Sequence, residues 1–572
     1  MQAILKYFDT LKSEKKLKIF DRVRSELFFC QIYFAIFAIN TNNRASLNTK
    51  TDTSSNTKFD AQANTDMATP GEKLAESLQA LKELQDKDNS LVIYGTTQLS
   101  RTHRDRLKLN GWLQEVLKGW YIVSKPGEEG DTTVWYSSFW NFIKAYCNRK
   151  YGNQWVLSPE LSLDRWSGNT VIARQCVVRT PEGANNVTNL LYGTSIFPIR
   201  GKLPETIVKD PVSGVNVYTL EDALINVSPS YFVLNELTAK ICLSLARDSS
   251  TILRLLADNG ASVRAGRIAG AFRHIGRSEI ADDILMTMRG FGYDVREMDP
   301  FKKPSGEHLM FTSPYEARIS LMWKEMREQI LPLIDMPEKR IDDIMGYMNS
   351  LEEKYKDDAY HSLSIEGYKI SAELIEKVKS GNWNPDVEDK ENKNALVARG
   401  YYLAFQSVKD SVLEILEGGE PGVVAKKEHQ QWYLQMWSPF VGVGLLKASD
   451  LIGYRNNQVY IRGSLHTPLS PDNVRITMPV LFNLLANEPS AIVRAVLGHF
   501  FFGYIHPYMD GNGRMCRFLM NVMLASGGYD WVVITTDKRA EYMAALETAS
   551  TKGDIRPFAK FVISILRQND FL

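Results

Sequence analysis

The chain has 572 residues, 44% hydrophobic and 24% charged, with a formal net charge of +1. This balance is that of soluble globular protein with length for three or four domains and several cores, and it leaves any affinity for nucleic acid to local basic patches. Five scattered cysteines (Cys30, Cys147, Cys176, Cys242 and Cys516) form no CxxC pair, which speaks against a disulfide framework or zinc site and for a reducing, cytoplasmic setting.

The first apolar run, LFFCQIYFAIFAI at 27–39, has 13 residues, shorter than the roughly 20 that a spanning helix needs. Acids mix with bases before it and no A-x-A-like site follows, so it does not read as a secretory signal. The Ser/Thr/Asn-rich stretch 40–66 has the composition of disorder. Residues 1–66 are therefore expected to be a dispensable extension, with Met67 as the start and no membrane span.

Residues 67–129 read as helices followed by a hairpin. Ser100 is a good N-cap and Asn110-Gly111 a stop for a basic helix carrying Arg101, His103, Arg104, Arg106 and Lys108. WLQEVLKGWYIV then alternates around Lys118-Gly119, as a two-stranded wing does. Helix, helix and wing suggest a winged helix that contacts duplex DNA through Arg101, Arg104 and Lys108, or a docking module with a solvated basic face.

In 130–300, WVLSPELSLDRW reads as helix, and TVIARQCVVRT and TSIFPIRGKL as strands, giving a small α/β or α+β domain. The wing GWLQEVLKGWY (111–121), the strand-rich piece after it and GVNVYTLEDAL (214–224) together resemble the AbiE-type antitoxin and transcriptional-regulator architecture over about residues 72–300. That resemblance implies a regulatory role. Gly and Pro near residue 300 mark a linker at 301–315.

The remainder, 316–572, is dominated by helical spacing, so the fold class is mainly α. The exception is VYIRGSLHTPLSPDNV (459–474), which reads as a hairpin at 459–468. The segment HPYMDGNGRMCR, residues 506–517, concentrates chemistry. Met515, Phe518, Leu519, Val522 and Met523 recur at helical spacing, so a helix starts near Gly513, with Arg514, Arg517 and Asn521 on another stripe. Asp510, Gly511, Asn512 and Gly513 precede it. Glycines there let backbone N–H groups curl into an anion nest at a helix N-terminus, and two guanidinium forks beside it imply a polyphosphate. Asp510 would repel that phosphate unless Mg²⁺ lay between them. His506 suits a general base. The whole describes nucleotidyl transfer to a hydroxyl.

HPYMDGNGRMCR resembles the Fic (Fic/Doc) signature H-P-F-x-D/E-G-N-G-R-x-x-R, and AVLGHFFFGYIHP (495–507) is similar to the helix before it. The resemblance covers about 340–572. It implies an all-helical Fic core transferring AMP from ATP to a protein hydroxyl, with His506 as base and Asp510 on Mg²⁺. Gly511, Asn512 and Gly513 would take the α/β-phosphates, and Arg514 and Arg517 the outer ones. Segment 459–468 would be the flap that docks the protein target, with Arg462, Gly463 and Ser464 at its tip, and Tyr542 would lie near the adenine or be a plain core aromatic. Tyr508 departs from the usual Phe, and its hydroxyl needs a partner. Cys516 and His499 read as packing residues. Upstream, Ser362, Glu366 and Gly367 in HSLSIEGYKIS (361–371) resemble the (S/T)-x-x-x-E-(G/N) inhibitory motif, which implies an inhibitory helix near 362–379 with Glu366 on Arg517. The reading is thus an autoinhibited protein adenylyltransferase. AMP removal, transfer of another nucleotide or of phosphocholine, and a DNA-binding regulator with a Fic sensor are the alternatives. Homo-oligomerisation is left open.

Overall fold

The computed structural model describes residues 69–88, 92–126, 132–258, 261–301, 308–381 and 393–570. The expected extension at 1–66, the start at Met67 and part of the 301–315 linker lie outside the described residues. The chain divides into two compact units, residues 1–145 and 146–572.

In the first unit, α1 (Pro70–Asp88), α2 (Arg101–Leu109) and a three-stranded antiparallel sheet surround a small core. The strands β1 (Val92–Tyr94), β2 (Leu113–Leu117) and β3 (Trp120–Val123) lie in the order β1-β3-β2. Ser100 caps α2 by accepting from the His103 N–H, which satisfies a donor the first helical turn leaves open. Gly119, at φ +84°, turns β2 into β3.

The second unit begins with a four-stranded mixed sheet. Its strands β4 (Val156–Leu157), β5 (Gln175–Thr180), β6 (Thr188–Asn189) and β7 (Ser195–Arg200) lie in the order β4-β5-β7-β6, with β5 and β7 parallel. The helix expected over WVLSPELSLDRW begins later than its apolar start: Val156–Leu157 is strand, and α3 runs Pro159–Trp166. Ser158 explains the switch, because its hydroxyl accepts from the Leu161 N–H as an N-cap. A two-stranded pair, β8 (Ile207–Lys209) with β9 (Asn216–Tyr218), and a helical array to Gly290 follow.

The boundaries expected near residues 300 and 316 fall inside this unit. Helix α4 (Pro314–Ile330) gives Ala317 and Leu321 to the core before it, and Ile319, Met322 and Trp323 to the core after it. One helix thus serves two cores.

Helices α5 (Ile344–Ile365), α6 (Lys393–Leu416), α7 (Pro421–Gly442), α8 (Pro471–Asn487), α9 (Ala491–Ile505), α10 (Asn512–Ala525), α11 (Arg539–Lys552) and α12 (Arg556–Asp570) build the second core. Helix α9 is apolar nearly all round and almost wholly buried, as a central helix must be. Among the described residues no helix is long and apolar enough to cross a membrane.

The expected hairpin at 459–468 is corrected. The segment turns at Arg462-Gly463, yet its arms form no paired strands. The return arm bonds elsewhere: Ile172 N–H donates to Leu465 O (2.9 Å), Thr467 N–H to Thr170 O (3.3 Å), and Val171 bridges His466. Leu465 N–H is also taken, by Glu547 Oε1 at 3.0 Å, and Pro468 carries no N–H to offer a ladder.

Candidate active site

Helix α9 ends where His506 enters the left-handed region (φ 57°, ψ 63°). A non-glycine residue there costs about 1–2 kcal/mol, so the surroundings must hold it. The turn places the imidazole Nδ1 3.1 Å from Gly503 O. A carbonyl can only accept, so Nδ1 carries the hydrogen and Nε2 is left as the acceptor. Burial lowers the His506 pKa to about 4, so the ring is neutral at physiological pH.

The loop after it is closed by one side chain. Asn512 accepts from Tyr508 N–H (3.0 Å) and donates to Tyr508 O (2.9 Å), so Asn512 has its backbone, not its amide, to offer a phosphate. Gly511, at φ +82°, is the N-cap of α10. A Cβ there would stand 3.2–3.3 Å from Met436 Sδ, Trp437 Nε1 and Arg514 Nη2. At Gly513 a Cβ would meet Glu366 Oε1 at 2.3 Å. The Glu366 carboxylate therefore lies against the first turn of α10, the place a helix offers to an anion.

Both arginines of α10 are buried. Arg517 donates from Nε to Ser362 Oγ (2.8 Å), and from Nη2 to Ser362 O (3.0 Å) and Glu366 Oε1 (2.7 Å). Arg514 is 1% exposed. Its guanidinium lies 5.0 Å over the Trp437 ring and 5.6 Å over Tyr368, and its Nε and Nη1 have no hydrogen-bond partner. Such a buried, incompletely bonded cation is costly unless an anion completes it. Asn521, expected on the same stripe, points elsewhere and holds Val532 by both backbone groups.

Glu366 does not sit inside a helix at 362–379, as expected. Helix α5 ends at Ile365, Glu366 is its C-cap, and Gly367 at φ +89° breaks the turn. A carboxylate at a helix C-terminus is disfavoured by the dipole; Arg517 and the N-terminus of α10 offset this. Burial pushes the Glu366 carboxyl up, but the neighbouring Arg517 guanidinium outweighs it and the net pKa falls below the usual carboxylate value.

These groups line a cleft of about 470 Å³ that includes Glu366, Arg462, His506, Gly513, Arg517 and Tyr542. That volume suits a small ligand such as a nucleotide. Arg462 and Gly463 are exposed at the flap tip. Ser464 is held instead by Glu547, Oγ to Oε2 at 2.5 Å. Tyr542 is 2% exposed and bonds His499 Nε2 through its hydroxyl (2.8 Å), so it is a core aromatic with one face on the cleft. Cys516 is buried and its thiol pKa is pushed up by burial. Asp510 is exposed, with Oδ1 accepting from Gly511 N–H at 2.6 Å.

Residues 429–524 match the Fic/DOC family. They are a Fic domain. The chain is 30% identical over 215 residues to "Protein adenylyltransferase Fic" of Drosophila virilis, covering 37% of this chain and 41% of that protein. The Drosophila willistoni protein of the same name is 29% identical over 215 residues, covering 37% and 40%. The chain thus spans about two fifths of the length of the curated relatives it matches. A solved fragment of Fic-1 from C. elegans aligns over 58% of this chain and 89% of its own, at 18% identity and a TM-score of 0.33.

Around the Fic domain's cleft the structure adds residues that sequence spacing did not reveal. Trp437 and Tyr368 sandwich Arg514, Glu547 clamps the flap, and Arg455 donates to His506 O. All come from elements 50 or more residues away or from loops without periodic pattern, so no local signal marks them. Tyr508 stacks on Tyr433 with centroids 3.7 Å apart, yet its buried hydroxyl has no hydrogen-bond partner.

In the first unit the basic helix is largely compensated from within. Arg101 faces Asp105 (3.5 Å), Lys108 bonds Glu115 (2.5 Å), and Arg106 donates to Lys73 O and Ser77 Oγ. Arg104 lies 6.0 Å over the Tyr121 ring.

Proposed function

We propose that the chain transfers AMP from ATP to a side-chain hydroxyl of a protein, and that Glu366 holds this site in check. One observation carries the reading: a neutral histidine with an open Nε2 shares a cleft with Gly513 at the start of α10 and with Arg517, and the same helix carries the buried, incompletely bonded Arg514. The backbone of Gly511, Asn512 and Gly513 would receive the inner phosphates. Arg514, and Arg517 once freed, would take the outer ones. Asp510, an exposed carboxylate at the mouth of this nest, fits a hard cation that draws its other ligands from phosphate. Mg²⁺ held there would neutralise charge between carboxylate and phosphates. The target oxygen attacks the α-phosphorus, its proton passes to His506 Nε2, and pyrophosphate leaves as its bond to that phosphorus breaks.

The protein target would dock on the flap, 459–468, by strand addition. Since the return arm already bonds residues 170–172, the outgoing arm is the edge for that docking. Duplex DNA as a further partner has weaker support, because Arg101 and Lys108 are paired with acids of their own unit and Arg104 lies over the Tyr121 ring. A cytoplasmic location belongs to the same proposal, supported by four free buried thiols among the described residues.

Glu366 supports the regulatory half, because its carboxylate takes the guanidinium edge that a γ-phosphate would need. Arg517 is 3% exposed and Glu366 32%, so removing the carboxylate would strand a buried guanidinium; here ATP would neutralise it. The test is α-labelled ATP with wild type, Glu366→Gly and Glu366→Gly/Arg517→Ala. Labelling is expected to rise at least about tenfold in the single variant, or about 1.4 kcal/mol of recovered alignment, and to vanish in the double. Unchanged labelling in a folded Glu366→Gly protein would refute the latch. Loss of a pre-existing AMP-removing activity in that variant would instead favour the hydrolytic alternative.

A further inference from the structure

A buried cation beneath the flap has a role that the cleft alone does not explain. Arg455 is 3% exposed, and its guanidinium bonds go to backbone carbonyls from three places. Nε donates to His506 O at 2.7 Å, Nη1 to Asn457 O at 2.8 Å, and Nη2 to Leu469 O. Its own backbone N–H donates to Pro507 O at 2.9 Å. Asn457 stands at the outgoing foot of the flap and Leu469 at the return foot, while His506 and Pro507 are the left-handed turn that aims the imidazole. Gln458 adds a second tie across the feet, Nε2 to Pro468 O at 2.7 Å. Arg475 secures Arg455 in turn, donating to its carbonyl at 3.2 Å.

This arrangement answers a difficulty raised by the fold. A flap whose arms do not pair lacks the backbone ladder that stiffens a hairpin. It must nevertheless hold a docked target in fixed relation to the base, since a displacement of 1 Å can cost about 10²-fold in rate. Side chains replace the ladder. The guanidinium suits the task because its planar fork donates in several fixed directions at once, whereas an ammonium is a point donor. A carboxylate partner would consume those directions. Burial and the nearby Arg475 lower the Arg455 pKa to about 10, so it still carries its proton at physiological pH.

We propose that Arg455 is a positioning residue of the transfer reaction, bracing both feet of the flap against the His506 turn so that docked target and base move as one body. The proposal rests on the adenylyl-transfer reading, and its test is chosen to separate the two. In the full chain carrying Glu366→Gly, Arg455→Lys and Arg455→Met are compared with the parent. The comparison uses kcat and KM for AMP transfer, ATP affinity by calorimetry, and amide exchange over 456–469 and 503–508. The expected result is a fall in kcat of about 10²-fold for Arg455→Met and a smaller fall for Arg455→Lys, with ATP affinity within about twofold. Exchange should rise in both segments together. Equal loss of ATP affinity and kcat with a general rise in exchange would mean a merely structural arginine and overturn the proposal, as would unchanged kcat. Should Arg455→Met fail to fold, Arg455→Lys decides by the same readouts. Should the parent transfer no AMP, the functional reading fails, and the exchange data still judge the brace. A joint rise at flap feet and His506 turn supports it; a rise confined to one of them overturns it.

Discussion

Helix α2 in the first unit and helix α10 in the second both present arginines at helical spacing, and they use them in opposite ways. In α2, Arg101 and Lys108 are exposed and meet Asp105 and Glu115, Arg106 donates to Lys73 O and Ser77 Oγ, and the half-buried Arg104 lies over the Tyr121 ring. Exposed pairs of this kind are worth little, about 0–1 kcal/mol, and they blunt the local field. In α10 the two guanidinium groups are buried; Arg517 is held by a carboxylate from 151 residues upstream, and Arg514 is left partly unbonded. The number of basic residues in a helix says little about binding. What counts is how much of the charge is buried and still uncompensated.

That contrast can be broken at its strongest point by removing His506, the base proposed beside α10. His506→Ala is expected to lower transfer by about 10²–10⁴-fold while leaving ATP binding intact. Near-wild-type labelling by this variant, with ATP binding confirmed by calorimetry, would exclude the role. Since burial holds the His506 pKa near 4, the pH–rate profile of the wild type should show no inflection at 6.5, and the acid limb belonging to this group should lie well below it.

A second buried carboxylate on α5 sharpens the comparison. Asp358 lies one turn before Ser362 on α5, is 3% exposed and accepts from Tyr401 Oη at 2.6 Å. Burial raises its pKa from 3.8 to about 6. A folded-state value above the unfolded one gives stability that is present below pH 3.8 and lost as pH rises through about 6. The difference corresponds to about 3 kcal/mol. Denaturation of wild type and Asp358→Asn across that range should show this slope in the former and a flatter curve in the latter.

A smaller effect is expected at Tyr508, whose buried hydroxyl is unbonded. Tyr508→Phe should keep the stack on Tyr433 and stabilise the protein by about 1 kcal/mol, since an unsatisfied buried hydroxyl is removed; a loss of stability would reveal a partner for it. The least effect is expected for α2. If its charges are compensated, Arg101→Ala/Arg104→Ala/Lys108→Ala should leave duplex DNA affinity and its salt dependence unchanged. A loss of salt slope of ~0.9 per removed charge would restore the DNA reading and end the contrast.

Much of the site was legible because its parts are local. Gly511 at the N-cap, the basic stripe and the apolar face of α10 all lie within about four turns, where the 3.6-residue period dictates which side chains meet. The helix before His506 was expected from resemblance to the Fic signature's preceding helix, and alternation predicted the hairpin around Gly119. Other assignments failed where local and distant partners compete for the same backbone. Alternation at 459–468 implied two arms paired with each other, but Thr170–Ile172 and Glu547 satisfy the return arm first. The end of α5 was misplaced because Glu366 is a C-cap made tolerable by a guanidinium from α10. Asn512 and Asn521 share one helix, yet one closes its own loop and the other reaches Val532.

By itself the sequence determined the spacing of the charged and apolar side chains of residues 506–517 and the mainly helical character of the chain, because both depend on contacts made within a few turns. Tertiary structure alone decided that Trp437 and Tyr368 flank Arg514 and that Arg455 ties Asn457 and Leu469 to the His506 turn, and it gave the expected Glu366–Arg517 pair its geometry. Those pairings join segments dozens to more than a hundred residues apart. Which donor meets which acceptor across such distances depends on how whole helices pack, and no local period encodes that.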